Sequence, residues 1–255
     1  MYRLLSFAAL LPILSGCIMA VSAPHAPHTV EPARAPHVVE EPADLPFEIH
    51  WVRNSAEYVA ALEQTYRFAT EVLERRIEGR EPGTWAVAID ADETLIGNSQ
   101  QSKEGALTPG DVPWEDVWDE WVDRRAAPAL PGARRFLETV RGHGGHIAVV
   151  TNRRDRHCEQ TADNVRALEM PFDVMLCRGE TRDKHPRWES VENGTASPDL
   201  PPLEIVMWVG DNIHDFPGLD QELRFASSDE FSDFGDMFII LPNPLYGSWE
   251  DNPPD

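Results

Sequence analysis

Asp90, Asp92 and Glu93 follow directly on a short apolar run, Trp85 to Ile89. Three further apolar runs lead to Thr151 with Asn152, to Lys184, and to Asp211 with Asp215. Carboxylates, a hydroxyl and an ammonium group are the parts of phosphoryl transfer, which needs a nucleophile, a proton donor for the leaving oxygen and cationic groups for the phosphoryl oxygens. Carboxylates at Asp90, Asp92 and Asp211 can hold a hard divalent cation such as Mg²⁺. Thr151 can donate to a phosphoryl oxygen, and Lys184 can balance charge between the phosphate and Asp90. Side chains at i and i+2 of a strand share a face, so the spacing predicts that Asp90 and Asp92 converge while Ala91 turns away. Two carboxylates so placed repel each other, and a bound divalent cation removes the conflict. Taken one at a time, these residues are also what turn formers, caps and solvated charges look like; it is the set that carries the chemistry.

The elements that must position the set alternate in type. Trp85 to Ile89 has the length and β-branched content of a buried parallel strand, and His146 to Arg154, Phe172 to Gly179 and Glu204 to Val209 are further strand candidates. Helical spacing is expected from Asn54 to Ile77, with Asn54 or Ser55 as cap, from Pro131-Gly132 through Val140, and from about Arg156 to Leu168. Strands alternating with helices predict an α/β fold, a Rossmann-like parallel sheet with flanking helices, and the closing run from Met237 to Glu250 completes the domain. Ligands of such sheets bind at the carboxyl ends of the strands, where the acids lie. Gly97 to Pro113 reads as loop. Trp114, Trp118 and Trp121 recur at i, i+4 and i+7 on one helix face, which suits either a core stripe or a small helical cap over the cleft. Trp118, Trp121 and Tyr246 are candidate aromatic walls for a ringed substrate, and Asn152 is a candidate substrate-binding residue.

With 42% hydrophobic residues in 255, the chain can bury a substantial core. Met1 to Gly16 has a charged start at Arg3 and a largely apolar stretch from Leu4 to Leu14, too short to span a membrane. Leu14-Ser15-Gly16-Cys17 resembles a bacterial lipobox, in which Cys17 carries lipid and becomes the first mature residue. Prolines at 24, 27, 32, 36, 42 and 46 then forbid regular helix, and this stretch reads as a tether. Its His25, His28 and His37 lack fixed geometry for a metal site. The expected organisation is residues 1–16 as lipoprotein signal peptide, 17–50 as Pro-rich tether and 51–255 as the catalytic domain. The formal charge of −22 becomes −23 without Arg3, and such a surface disfavours nucleic acid polymers and anionic lipid. Once Cys17 is assigned to lipid, Cys158 and Cys177 remain; an exported compartment permits a disulfide between them, and two unpaired buried thiols fit equally well.

The ordered set resembles the haloacid dehalogenase superfamily, with Asp90-Ala91-Asp92-Glu93-Thr94, then Thr151, then Lys184, then Gly210-Asp211-Asn212 with Asp215 as its four motifs. Within it, Asp-Glu-Thr-Leu in the first motif, Gly-Asp-Asn-Ile-His-Asp-Phe from 210 to 216 and Pro-Asn-Pro-Leu-Tyr-Gly-Ser-Trp from 242 to 249 are similar to class C bacterial acid phosphatases, a group of lipid-anchored enzymes. The resemblance implies that Asp90 is a nucleophile forming an aspartyl-phosphate and that Asp92 is general acid and then base. It also implies that Asp90, the backbone carbonyl of Asp92 and Asp211 bind Mg²⁺, with Asp215 in support. Small phosphomonoesters, 5′-nucleotides among them, are the implied substrates, and the cell envelope, at the outer membrane, is the implied location. Ile96-Gly97-Asn98 departs from the pattern, where a bulkier middle residue is expected. Transfer of the phosphoryl group to an alcohol, or capture of a phosphorylated ligand without turnover, are the alternatives from other classes; the second would need neither Asp90 nor Asp92.

Overall fold

The structure is a computed structural model that describes residues 45–108 and 112–253. The expected signal peptide, Cys17 and the expected tether up to residue 44 lie outside the described residues. Five strands, β1 (Trp85–Ile89), β2 (His146–Arg154), β3 (Val174–Arg178), β4 (Glu204–Gly210) and β5 (Phe238–Ile240), form one sheet in the order β3-β2-β1-β4-β5. Every pairing is parallel. Seven helices accompany them: α1 (Phe47–Asn54), α2 (Ala56–Arg76), α3 (Ser99–Leu107), α4 (Trp114–Arg124), α5 (Ala133–Gly142), α6 (Cys158–Ala167) and α7 (His185–Glu192).

β1 is central because it is apolar along its whole length and both faces are covered, so all five of its residues are buried. On one face Val87 and Ile89 join a core with Leu62, Leu73, Phe136 and Ile147; on the other Ala86 and Ala88 meet Trp188, Val191 and Ile205. Full burial of a Val- or Ile-sized side chain stabilises by about 1.5–3 kcal/mol, so β1 is held by its neighbours on both sides. Gly145, just before β2, lets Trp85 pack close: a Cβ there would stand 2.2 Å from the indole ring.

Three expectations change. Residues 47–50, expected as the end of a tether, belong instead to α1, which begins at Phe47 and buries Ile49 and Val52. Ser55 then caps α2, its side chain accepting from the Tyr58 N–H. The stretch from Gly97 to Pro113, expected as loop, contains α3; only Gln101 of this helix is buried, so its polar sequence lacks the apolar stripe that periodicity requires. The third change is α7, which starts immediately after Lys184 with Pro186 in its first turn. Cys158 and Cys177 form a disulfide that joins the start of α6 to β3.

Asp173, just before β3, knits the open end of the sheet. It accepts from both Arg141 Nη atoms at 2.9 Å and from the Ile147 N–H at 2.7 Å, and it lies 3.2 Å from His146. Burial works to raise this carboxyl, but the Arg141 guanidinium, the Ile147 amide and His146 outweigh it and hold the group below its ordinary value. A depressed carboxyl contributes stability that is complete above the unfolded value and is lost as pH falls through the folded one. Asp173→Asn is therefore expected to lower unfolding free energy by about 1–3 kcal/mol at neutral pH. In urea titrations the gap to the parent should close as pH falls below the ordinary carboxylate range, and a gap that stays constant would contradict this assignment.

Candidate active site

The carboxyl ends of β1, β2 and β4 face one centre. Asp90, Asp211 and Asp215 each offer a carboxylate oxygen, and these atoms lie within 4.8 Å of one another. Lys184 Nζ reaches into the group, 2.5 Å from Asp90 Oδ1 and 2.6 Å from Asp215 Oδ1, with every partner buried. Burial of Lys184 works against its charge, and Asp215 and Asp90 more than compensate, so its ammonium is held more firmly than in water. For Asp90, burial is the largest influence, the charges of Asp215 and Asp92 add to it and Lys184 opposes; the carboxyl is pushed up to about 7. Asp211 is raised well above its ordinary value by burial and then by Asp215 and Asp90, although Asn243 Nδ2 and Thr94 Oγ1 both donate to it.

Local backbone makes this crowding possible. Gly210 leaves room for Asp215, whose Oδ2 would lie 2.3 Å from a Cβ at that position. The same Oδ2 accepts from the Asn212 N–H, and Asn212 in turn accepts from His214 N–H, a reciprocal cap on the turn after β4.

Asp92 goes elsewhere. β1 ends at Ile89, so the alternation that placed Asp90 and Asp92 on one face no longer holds beyond it, and Glu93 turns the chain with a left-handed φ of 50°. The Asp92 carboxylate does not join the cluster. Instead it accepts from Arg153 Nη2 at 2.7 Å and Nε at 3.0 Å, and from Asn98 Nδ2 at 2.7 Å. Thr151 is fully buried, with its Oγ1 accepting from the Arg153 N–H, and Asn152 Oδ1 accepts from Arg187 at 2.8 Å.

The aromatic candidates separate. Trp121 is 2% exposed, its Nε1 donating to Asn98 Oδ1, and belongs to the core rather than to a rim. Trp118 is half-buried, with the Arg153 guanidinium 5.2 Å from its ring centre and Trp114 stacked on it at 5.4 Å. Trp114 is 59% exposed. Tyr246 is half-buried, its hydroxyl donating to Glu93 Oε1 and accepting from Asn98 Nδ2.

Asn98, Arg153 and Asn243 are the site residues to which sequence reasoning gave no part, and Glu93 and Arg187 stood beside the motifs without a role. Asn98 is fully buried and touches Asp92, Glu93, Arg153, Trp121 and Tyr246. The signal available for it was the unexpected Ile96-Gly97-Asn98 sequence, and for Asn243 and Tyr246 the motif from 242 to 249. Glu93 is fully buried, and burial, with Asp92 nearby, pushes its carboxyl up to about 7; its Oε2 has no hydrogen-bond partner among the described residues.

The donor set fits a divalent cation. Three carboxylates are hard oxygen donors of the kind Mg²⁺ and Ca²⁺ take, and they outnumber the one ammonium, Lys184, set among them.

A parallel α/β sheet whose central strand delivers a lysine-braced aspartate into a carboxylate cluster defines a phosphoryl-transfer enzyme of the haloacid dehalogenase type. The chain belongs to HAD superfamily, subfamily IIIB (acid phosphatase), whose family model matches residues 19–249, and it is a phosphomonoester hydrolase. Among solved structures, it is similar to the class C acid phosphatase from Bacillus anthracis, at 28% identity over 80% of this chain and 85% of that one, with a TM-score of 0.71. The same enzyme with tungstate bound matches with the same values.

Arg153 holds Asp92 with a planar fork that Lys cannot reproduce. Arg153→Lys keeps the charge and should leave the protein folded while lowering kcat on the order of 10-fold or more, because the Asp92 carboxylate loses its fixed orientation. Steady-state kinetics alongside thermal unfolding checks this; an unchanged kcat would remove Arg153 from the positioning of Asp92.

Proposed function

We propose that this protein is a Mg²⁺-dependent acid phosphatase acting on small phosphomonoesters through an aspartyl-phosphate. The observation that carries the reading is the placement of Asp90 at the end of the central strand, in contact with Lys184 and within the Asp211–Asp215 cluster.

In this reading Asp90 Oδ attacks phosphorus, a new O–P bond forms and the ester P–O bond breaks, the electron pair leaving on the alcohol oxygen. Asp92 gives that oxygen its proton. Water then attacks the phosphoryl group, Asp92 takes the proton released, and the bond to Asp90 breaks to yield inorganic phosphate. Thr151 and Lys184 hold the phosphoryl oxygens, and Asn152, fixed by Arg187, stands beside them. Asp90, Asp211 and Asp215, with the backbone of Asp92, would hold Mg²⁺, which when bound supplies positive charge to the phosphoryl oxygens. Tungstate bound to the Bacillus anthracis enzyme is an oxyanion, which supports an oxyanion site in this chain as well.

Ringed esters such as 5′-nucleotides are the favoured substrates here. The exposed Trp114 and half-buried Trp118 and Tyr246 offer faces for stacking, worth about 1–3 kcal/mol per base. Trp121 plays no part, being committed to Asn98.

Phosphate release from a 5′-nucleoside monophosphate and from glycerol phosphate, each with and without Mg²⁺, tests the whole reading. The nucleotide should be preferred, chelation should abolish turnover, and Asp90→Asn should cost on the order of 10⁴-fold while leaving the fold intact. Near-normal turnover by Asp90→Asn, or by the chelated parent, would overturn it.

We also propose that the protein sits in the bacterial cell envelope, lipid-anchored through Cys17 at the outer membrane. The lipobox supports this, and so does the Cys158–Cys177 disulfide, a bond that persists in oxidising compartments. Cys17→Ser should move the protein from the membrane fraction to the soluble fraction, since acyl chains supply the anchor; continued sedimentation with membranes would refute the assignment.

A further inference from the structure

A cleft of about 530 Å³ opens at the carboxyl ends of β2 and β3, lined by Arg154, Arg156, Arg178 and Arg182 together with Asp155, Gly179 and Glu180. That volume is within the range of small-molecule sites, roughly 300–1,000 Å³. Its charge runs against the rest of the molecule. Acidic residues number 44 against 22 basic ones in the chain, so an arginine here has no shortage of carboxylates, and Arg76, Arg141 and Arg153 each find one. Among the described residues, Arg154, Arg178 and Arg182 form no ion pair, and the two acids lining the cleft do not pair with them. Arg154 and Arg178 are direct register partners across the strands, a juxtaposition of like charges that works against pairing. Burial, and then Arg182, Arg154 and Arg156, lower the Arg178 guanidinium from its ordinary value. Arg156 is committed to Asp119, and the other three, unpaired among the described residues of an acidic protein, are arranged for an anion from outside.

The cleft adjoins the catalytic centre. Arg154 is three residues beyond Thr151 on the same strand, about 10 Å at the rise of an extended chain. Arg187 ties the two together: it donates to the Thr151 carbonyl and Asn152 Oδ1 at the centre, and to the carbonyls of Arg182, which lines the cleft, and of Asp183 beside it.

We propose that the arginine cleft is a second anion subsite, which binds a second phosphoryl group of the substrate while the first occupies the centre at Asp90, so that the enzyme favours bisphosphorylated esters. The inference rests on the phosphatase reading above and names a substrate class for it. The planar guanidinium forks suit a phosphoryl dianion, and the openness of the cleft admits substrates of varied backbone.

The test compares initial rates of phosphate release from fructose 1,6-bisphosphate and fructose 6-phosphate. Parent kcat/KM should favour the bisphosphate by about 10-fold or more, as expected for one to two charge-assisted contacts. The preference should shrink as ionic strength rises. In the Arg154→Gln/Arg178→Gln double variant it should vanish through KM for the bisphosphate alone, with fructose 6-phosphate turned over as before. Arg67→Gln, which removes a charge from the exposed surface of α2, should change neither. The single variant Arg182→Gln, altering an exposed side chain, gives the same reading if the double variant does not fold. A parent without preference, a preference that survives the substitutions, or an equal loss for both esters would overturn the subsite. If the parent releases phosphate from neither ester, the phosphatase reading fails instead; equilibrium binding of the two esters to Asp90→Asn protein, with and without the cleft substitutions, then decides the subsite by itself.

Discussion

One buried lysine holds together a centre that would otherwise repel itself. Asp90, Asp211 and Asp215 bring three carboxylates within 4.8 Å, and Lys184 contacts two of them. At an effective dielectric of about 20, two unit charges 4 Å apart interact by roughly 4 kcal/mol, so the sign of each neighbour matters as much as its distance. Breaking a buried ion pair by removing one partner costs about 3–5 kcal/mol, a large share of the roughly 5–15 kcal/mol that stabilises an ordinary domain. The residues of the candidate site are therefore also structural. Three carboxylates against one ammonium leave two net negative charges, and Asp90 and Asp211 are raised by burial first and by their acidic neighbours second. A site so balanced is ready for a divalent cation and a phosphate together, each offsetting the other.

Everything around the centre turns on keeping Asp92 apart from that cluster. The chain leaves β1 through a left-handed Glu93, and Tyr66 on α2 donates to the Thr94 carbonyl, which pins the turn to the core. The cap, α3 and α4, departs after this turn. It returns at a neck where Leu130 N–H donates to the Leu95 carbonyl and Gly97 N–H to the Pro128 carbonyl. Inside the neck, the Asn98 side chain joins the Asp92 carboxylate, the Trp121 indole and the Tyr246 hydroxyl while its backbone N–H donates to the Glu93 carboxylate, so that cap, first motif and closing segment share one buried asparagine. Buried polar networks of this kind are stable when each member is satisfied, and Glu93 Oε2 is the atom that falls short. At the outer side of the cap, Asp119 on α4 pairs with both Arg156 and His157, which fastens the cap to the segment after β2.

Much of this was legible without coordinates where one-dimensional patterns suffice. β1 and β2 run from the residues their apolar runs indicate, because a strand buried on both faces must be apolar throughout and its polar flanks mark its ends. α3 was not legible. Its residues carry no apolar stripe, and it is held by its neighbours, with Gln101 alone buried. The tryptophan stripe illustrates the boundary between the two cases: helical spacing placed Trp114, Trp118 and Trp121 on one face of α4, yet only packing distinguishes the buried Trp121 from the exposed Trp114.

The amino-acid sequence by itself determined the alternation of strands and helices, the four ordered motifs and hence the family, the acidic balance of the chain, and the identity of the residues at the strand ends. Those properties are local, set by side-chain chemistry and by the periods of strand and helix. Tertiary structure alone decided that the Asp92 carboxylate turns to Arg153 and not to Asp90, that Cys158 meets Cys177, and that three arginines with no ion pair among the described residues gather in one cleft. These are contacts between residues distant in the chain, Arg153 lying 61 positions from Asp92 and Lys184 lying 94 from Asp90. No period in a linear pattern encodes such a meeting, because it depends on how the sheet orders its strands and on which charges remain unpaid once the core has closed.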